Sequence, residues 1–286
     1  MKAEKLYLHL DKEFEIEKLR EDEWSLLDLG NYVTESFRKT RKGLVLDNSS
    51  EIRKVYTAVF PSEHVLDKLL ATGEREFLLF THHPMIWDTS TAGIPFRNIP
   101  KKHLEELRNR EISYYAIHVP LDRNGPYSTT VSLTRALEVE QEREFFDYFG
   151  VQVGVIGKTR HRSFSELSDF VEKKVGHHVK RWTYGSSRIA NQKVALVAGG
   201  GNFPEVAEEL TDTDIRTYIT GVTKKSRDYE PSLRFHDICK EHGINVIAAT
   251  HYSTEKWACK AVLKFFEGLG VAAEFVEDSP AFTDYE

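Results

Sequence analysis

Cysteine is nearly absent: the 286 residues hold two, Cys239 and Cys259. They lack the short paired spacing of a zinc knuckle, and two such residues build no disulfide framework. Both fall in segments with helical patterning, so buried thiols in a reducing compartment are expected. Long apolar runs are missing as well. Nothing approaches the roughly 18 apolar residues of a membrane span. The opening Met1-Lys-Ala-Glu-Lys-Leu-Tyr-Leu has no apolar stretch of the secretory kind. The expectation is a soluble, cytoplasmic protein with no membrane partner. An excess of basic charge is also lacking: 39 Lys and Arg stand against 45 Asp and Glu, a formal net charge of −6. The densest basic stretches, Lys39 to Lys42 and Lys158 to Arg162, are short and have acidic neighbours. A duplex-binding protein needs a concentrated basic face to displace counterions from phosphates. Nucleic acid is therefore not expected as a partner.

What is present is an ordinary globular composition, 40% hydrophobic and 29% charged, long enough to bury a sizeable core. After a charge-rich stretch over residues 1–50, with a helix expected over 23–39, short β-rich runs alternate with amphipathic segments. Strands are expected at Lys54 to Phe60, Glu76 to Phe80 and Ile112 to His118, with helices capped near Ser62, near Lys101 to Arg110 and from Ser128 to Leu137. A loop with Gly93, Pro95 and Pro100 lies between the second strand and the second helix. Residues 141–190 are less regular, with a strand pattern at Val151 to Ile156, a helix at Ser163 to Val175 and a strand-like run at Val179 to Tyr184. The rhythm resumes with strands at Lys193 to Val197, Ile215 to Ile219, Ile244 to Thr250 and Val271 to Val276. Helices follow from Pro204, near Ser232 to Glu241 ahead of Gly243, and from Ser253 to Glu267. Alternation of this kind implies mainly parallel sheets covered by helices. The fold class is α/β, with two similar lobes at 51–140 and 191–286, a connecting segment at 141–190 and a charged N-terminal extension at 1–50.

In open α/β sheets ligands collect beyond the carboxyl ends of the strands. His82 and His83 follow one such end, His118 and Asp122 another, Gly199-Gly200-Gly201 a third and His251 the last long one. Imidazole and carboxylate ligands suit zinc, iron or manganese, with no thiolate required. His251 and Glu255 are four residues apart across a strand-to-helix turn, with Glu255 expected in the first helical turn, where the helix dipole favours an anion. Each residue also has a plainer reading: Asp122 as a turn-former before Asn124-Gly125, Glu255 as an ordinary first-turn acid. His177 and His178 sit in a polar stretch and are expected to be solvated or partly packed. The glycine triplet matches neither the dinucleotide fingerprint nor the Walker A pattern. It serves either to cradle a phosphate or to let a helix pack closely on a strand. Trp87 and Trp182 are open to stacking on a planar ligand or to core packing.

Together Phe80-Thr-His-His-Pro-Met-Ile-Trp87, Ala116-Ile-His-Val-Pro-Leu-Asp122 and Thr250-His-Tyr-Ser-Thr-Glu255 resemble the Nif-three-like family of dinuclear metal-centre proteins, also known as GTP cyclohydrolase I type 2-like. The resemblance runs from about Gly43 to the C-terminus and includes Ile219-Thr-Gly221. Val222 departs from it, because an acidic residue often follows that step. The resemblance implies a homohexameric toroid of two-lobed subunits. Each subunit would hold two divalent metal ions on His82, His83, Asp122, His251 and Glu255, with Glu255 as the bridge. His118, not needed as a ligand, is the candidate for proton transfer. The function so implied is a metal-dependent hydrolase acting on a nucleotide-like or phosphate-bearing small molecule. The alternative is a non-catalytic metal-binding or regulatory hexamer.

Overall fold

A run such as Phe77-Leu-Leu-Phe-Thr81 has no polar face to offer water, so it folds only where a sheet is covered on both sides. In the computed structural model every residue of that run is buried. The structure describes residues 1–89, 95–227 and 229–286; Gly93 of the expected loop lies outside them. In chain order, α1 (Ala3–Glu13) is followed by α2 (Glu35–Thr40), β1 (Gly43–Leu46), β2 (Lys54–Ala58), α3 (Glu63–Ala71) and β3 (Phe77–Thr81). The ribbon of β4 (Ile86–Trp87) and β5 (Phe96–Arg97) precedes α4 (Lys101–Asn109), β6 (Ser113–Ala116) and the single turn α5 (Val119–Asp122). Next come α6 (Thr129–Ala136), β7 (Glu140–Tyr148), β8 (Val151–Lys158), α7 (Phe164–Val175), β9 (Lys180–Trp182), β10 (Lys193–Leu196) and α8 (Pro204–Thr211). The chain ends with β11 (Thr217–Thr220), α9 (Glu230–Glu241), β12 (Asn245–Ala248), α10 (His251–Ala261), α11 (Leu263–Gly268) and β13 (Ala272–Phe275). Among the described residues no helix is long and apolar enough to cross a membrane.

The chain divides into two units, Met1–Asp122 with Cys259–Ser279, and Arg123–Ala258 with Pro280–Glu286. In the first unit the sheet order is β1-β6-β3-β2-β13. β6, β3, β2 and β13 run parallel, and β1 closes the edge antiparallel. Phe37, Val45, Leu66, Phe77, Leu79, Leu104 and Tyr114 belong to its core. Helix α3 starts where expected, because the Ser62 hydroxyl accepts from the Val65 N–H at 3.1 Å. In the second unit the order is β7-β8-β10-β11-β12-β9, with β10, β11 and β12 parallel at its centre and antiparallel strands outside them. Leu133, Leu167, Val171, Val194, Leu196, Ile219 and Ile247 form a core there. A capping box between Ser163 and Glu166 opens α7.

Parallel strands bring their carboxyl ends to one edge of each sheet, and this places the residues of interest. The α/β class and the parallel strand centres follow the sequence pattern, but the segmentation does not follow the expected 1–50, 51–140, 141–190 and 191–286. Residues 141–190 are no connector: they supply β7, β8, α7 and β9 to the second unit. β13 pairs with β2 and so returns the C-terminal region to the first unit. The N-terminal segment is built into the first unit through β1 on β6. β7 escaped the sequence reading because its first five residues are polar and exposed, leaving no alternation to detect. The helix expected over 23–39 is not continuous. Trp24 and Gly30 adopt left-handed backbone at φ 47° and 60°, and α2 begins only after Thr34, whose hydroxyl accepts from the Phe37 N–H. Cys239 and Cys259 are buried thiols in helices, neither in a disulfide.

His236, buried in the second unit, gives the fold a sensitivity to acid. Its Nε2 lies 2.7 Å from the Thr223 carbonyl and its Nδ1 2.9 Å from the Tyr184 hydroxyl. A carbonyl only accepts, so Nε2–H donates and Nδ1 accepts from the tyrosine; this is the neutral ring. Burial, aided by the charge of Lys225, pushes its pKa from 6.5 down to about 4. The unfolded chain therefore takes up a proton that the folded chain refuses between those values. The contribution is complete above the unfolded value and is lost as pH falls through that window, by at most about 3 kcal/mol. Denaturant titrations at stepped pH are expected to show this loss and to show less of it in His236→Gln. An identical pH dependence in the two proteins would remove His236 from the account.

Candidate metal centre

The first unit brings four of the candidate residues together. Backbone N–H groups of His82 and His83, just past β3, donate to Ala58 and Val59 carbonyls at 3.3 and 3.0 Å, so strand pairing carries on beneath both imidazoles. His118 follows β6 and Asp122 ends α5, four residues on. His82 Nδ1 lies 3.0 Å from the Ile117 carbonyl, which only accepts, so Nδ1 carries the proton. Its Nε2 then faces Asp122 Oδ1 at 3.3 Å. On the other side of the same carboxylate, His118 Nε2 lies 3.4 Å from Asp122 Oδ2. Nitrogens of His82, His83 and His118 come within 4.8 Å of one another, a spacing that could hold a metal ion. A cation between His82 Nε2 and the Asp122 carboxylate would satisfy both groups. The donor set fits a divalent ion with nitrogen and oxygen preference.

The surroundings of this cluster are aromatic. Phe60 stacks on His83 at 4.5 Å, and Trp24 sets an edge against His83 and His118 at 5.9 and 5.0 Å. Trp87 packs on Phe60 and Phe96 rather than standing apart for a ligand. Burial alone pushes the His118 pKa down, but the charges of Asp122 and Glu21 outweigh it and the net shift is upward.

The second unit holds His251 and Glu255. His251 is the first residue of α10, so Glu255 lies one turn further in, and the expected first-turn position is corrected. Glu255 Oε1 lies 3.1 Å from His251 Nε2. Thr250 precedes the helix at φ 66°, a strained conformation for a β-branched residue, and its hydroxyl accepts from the Ser253 N–H at 3.2 Å. Asp284 reaches in from the C-terminal segment and accepts from the His251 N–H at 2.7 Å. The glycine triplet is now explained. Gly199 has φ 73°, and a Cβ there would overlap the Glu255 carboxylate. The Gly199 and Gly201 N–H groups are already taken by the Thr254 and Thr220 hydroxyls at 2.9 and 3.1 Å. Close packing is therefore the role shown, and two of the three donors of a phosphate cradle are spent. His177 is half-buried and accepts from the Ser253 hydroxyl at 2.7 Å, which braces the first turn of α10, while His178 is exposed.

Sequence reasoning missed Glu21, Trp24 and Asp284. Each is remote in sequence from the residue it touches, and among local patterns nothing marks a lone acid or tryptophan as a neighbour of a distant histidine.

With this geometry in place, comparison with known proteins identifies the family. Residues 18–280 match the Duf34/NIF3 (NGG1p interacting factor 3) family, and the chain belongs to it. The match starts well before Gly43 and takes in Glu21 and Trp24. The chain is 30% identical over 240 residues to the GTP cyclohydrolase 1 type 2 homolog of Archaeoglobus fulgidus, covering 83% of this chain and 89% of that one. It is 30% identical over 246 residues to the homolog of the same name from Pyrococcus horikoshii, covering 84% and 90%. Among solved structures it is similar to protein ybgI, with a TM-score of 0.74 at 20% identity over 98% of this chain and 100% of that one. It is also similar to TTHA1606 from Thermus thermophilus, with a TM-score of 0.69 at 24% identity over 99% and 100%. These likenesses show the fold.

The glycine account is open to a paired test. Gly199→Ala is expected to lower the unfolding free energy by about 1–3 kcal/mol, because strain and overlap with Glu255 combine. Gly200→Ala, where a Cβ meets nothing within 4 Å, should stay within about 0.5 kcal/mol of the parent. Equal effects in denaturant titrations would contradict the packing role.

Proposed function

We propose that the chain is a dinuclear metal-dependent hydrolase acting on a nucleotide-like or phosphate-bearing small molecule. His82, His83, Asp122, His251 and Glu255 would hold two divalent ions, zinc, iron or manganese. The observation that supports this best is the buried Asp122 carboxylate with an imidazole Nε2 turned to each oxygen. The relatives' name, GTP cyclohydrolase 1 type 2 homolog, lends a nucleotide substrate its weight.

When bound, the ions would supply Lewis acidity and acidify a water molecule. The chain's own part is to hold the ligands rigid, which hydrogen bonds do for His82 through Ile117 and for His251 through Asp284. His118 presents Nε2 on the face of Asp122, where it can take or return a proton. Phe60 and Trp24 press on the histidine rings and limit water around them. The family resemblance also implies a homohexamer, which light scattering of the purified protein measures directly.

The test is elemental analysis together with a turnover screen of zinc-, iron- and manganese-loaded protein against nucleotides and phosphoesters. Two ions per chain and turnover with one substrate class are expected. His118→Ala should keep the ions and lose about 100-fold or more in kcat. Loss of the ions in that variant would make His118 a ligand instead. Turnover that survives Glu255→Ala would place the chemistry elsewhere. Full metal occupancy with no turnover on any substrate would favour the non-catalytic assembly.

A further inference from the structure

The N-terminal segment, read from sequence as a charged extension, places one carboxylate against the histidine cluster. The Glu21 side chain is only 3% exposed. Its Oε1 lies 3.2 Å from His118 Nδ1 and accepts from the Val119 N–H at 3.4 Å and the Asp22 N–H at 2.9 Å. Its Oε2 accepts from the His118 N–H at 3.3 Å. Both oxygens are thus committed to donors, and three of these four contacts are to His118 and Val119. A carboxylate loses several kcal/mol of hydration when buried unless such bonds replace it. The stretch around Glu21 is further tied down by the Lys42 amine, which donates to the Leu19 carbonyl, and by Trp24 packed edge-on to His118.

We infer that Glu21 is a positioning residue of the metal centre and acts through His118. By accepting from Nδ1, the carboxylate fixes the proton on that nitrogen and leaves Nε2 to face Asp122 Oδ2. The contact to the His118 and Val119 N–H groups sets where the turn carrying Asp122 begins. Carboxylates around a metal site orient its histidines in the same way, and loss of such an outer partner weakens metal binding or activity about 10- to 100-fold. Here the effect would reach the ligand Asp122 through His118 Nε2. The inference rests on the proposal that the first-unit cluster binds metal. It does not depend on the substrate or on there being turnover.

The experiment is a double-mutant cycle read by zinc affinity, with a chromophoric chelator as competitor, and by the visible spectrum of the cobalt(II)-loaded protein. Glu21→Gln is close in size and keeps an oxygen for the backbone donors, so it separates the loss of charge from a loss of folding; Glu21→Ala removes both. Zinc affinity is expected to fall about 10-fold or more in Glu21→Gln and further in Glu21→Ala, with a changed cobalt spectrum. In a His118→Ala background, which should still load fully at saturating zinc but with an affinity reduced by a similar factor, Glu21→Gln should cost less than about 2-fold more, since the partner is already gone. Unchanged affinity and spectrum in both Glu21 variants would overturn the role while leaving the metal centre standing. A full additional loss in the His118→Ala background would also overturn it, by showing that Glu21 acts without His118. A parent protein that binds no zinc or cobalt would overturn the metal-centre proposal and the Glu21 role with it.

Discussion

One buried carboxylate, Asp122, faces an imidazole Nε2 at each of its oxygens, and much of the first unit is arranged so that this can persist. Buried polar groups must be paired or they cost several kcal/mol. The outer nitrogens of those imidazoles are accordingly tied to the Ile117 carbonyl and the Glu21 carboxylate. A site of this type forces the surrounding chain to be rigid, since a small slip would leave charges facing nothing. Strand pairing under His82 and His83, stacking of Phe60 on His83 and the edge-on packing of Trp24 provide that rigidity.

The second unit repeats the device with different parts. A histidine at the carboxyl end of a parallel strand meets an acid four residues later, His251 with Glu255 as His118 with Asp122. In both, a carboxylate from a terminal segment accepts from the histidine's own N–H: Glu21 in one unit, Asp284 in the other. The start of a helix leaves N–H groups without intrahelical partners, so an acid delivered there both satisfies the backbone and orders the turn that carries the ligand. Each terminal segment thus supports the histidine of its own unit.

Much of this was legible from local pattern. His82-His83 was marked by the apolar run delivering it, and the His251–Glu255 spacing was marked by the strand-to-helix change there. What misled was also local: the charged stretch 23–39 reads as a helix until Trp24 and Gly30 turn left-handed. The first five residues of β7 carry no alternation because that strand edge faces water. Segment 141–190 looked like a connector because its strands are antiparallel partners of a sheet whose parallel centre lies further along the chain.

Sequence alone therefore determined the α/β class and the parallel strand centres and marked histidines and carboxylates at strand ends as candidates, because hydrophobic period and residue chemistry act over a few residues. Tertiary structure decided which residues support them. Glu21 lies 97 positions from His118 and Asp284 lies 33 from His251, separations over which no short-range pattern carries information. It also settled that Gly199 is glycine to make room for Glu255, since two groups compete for one volume only after the strands have brought them there.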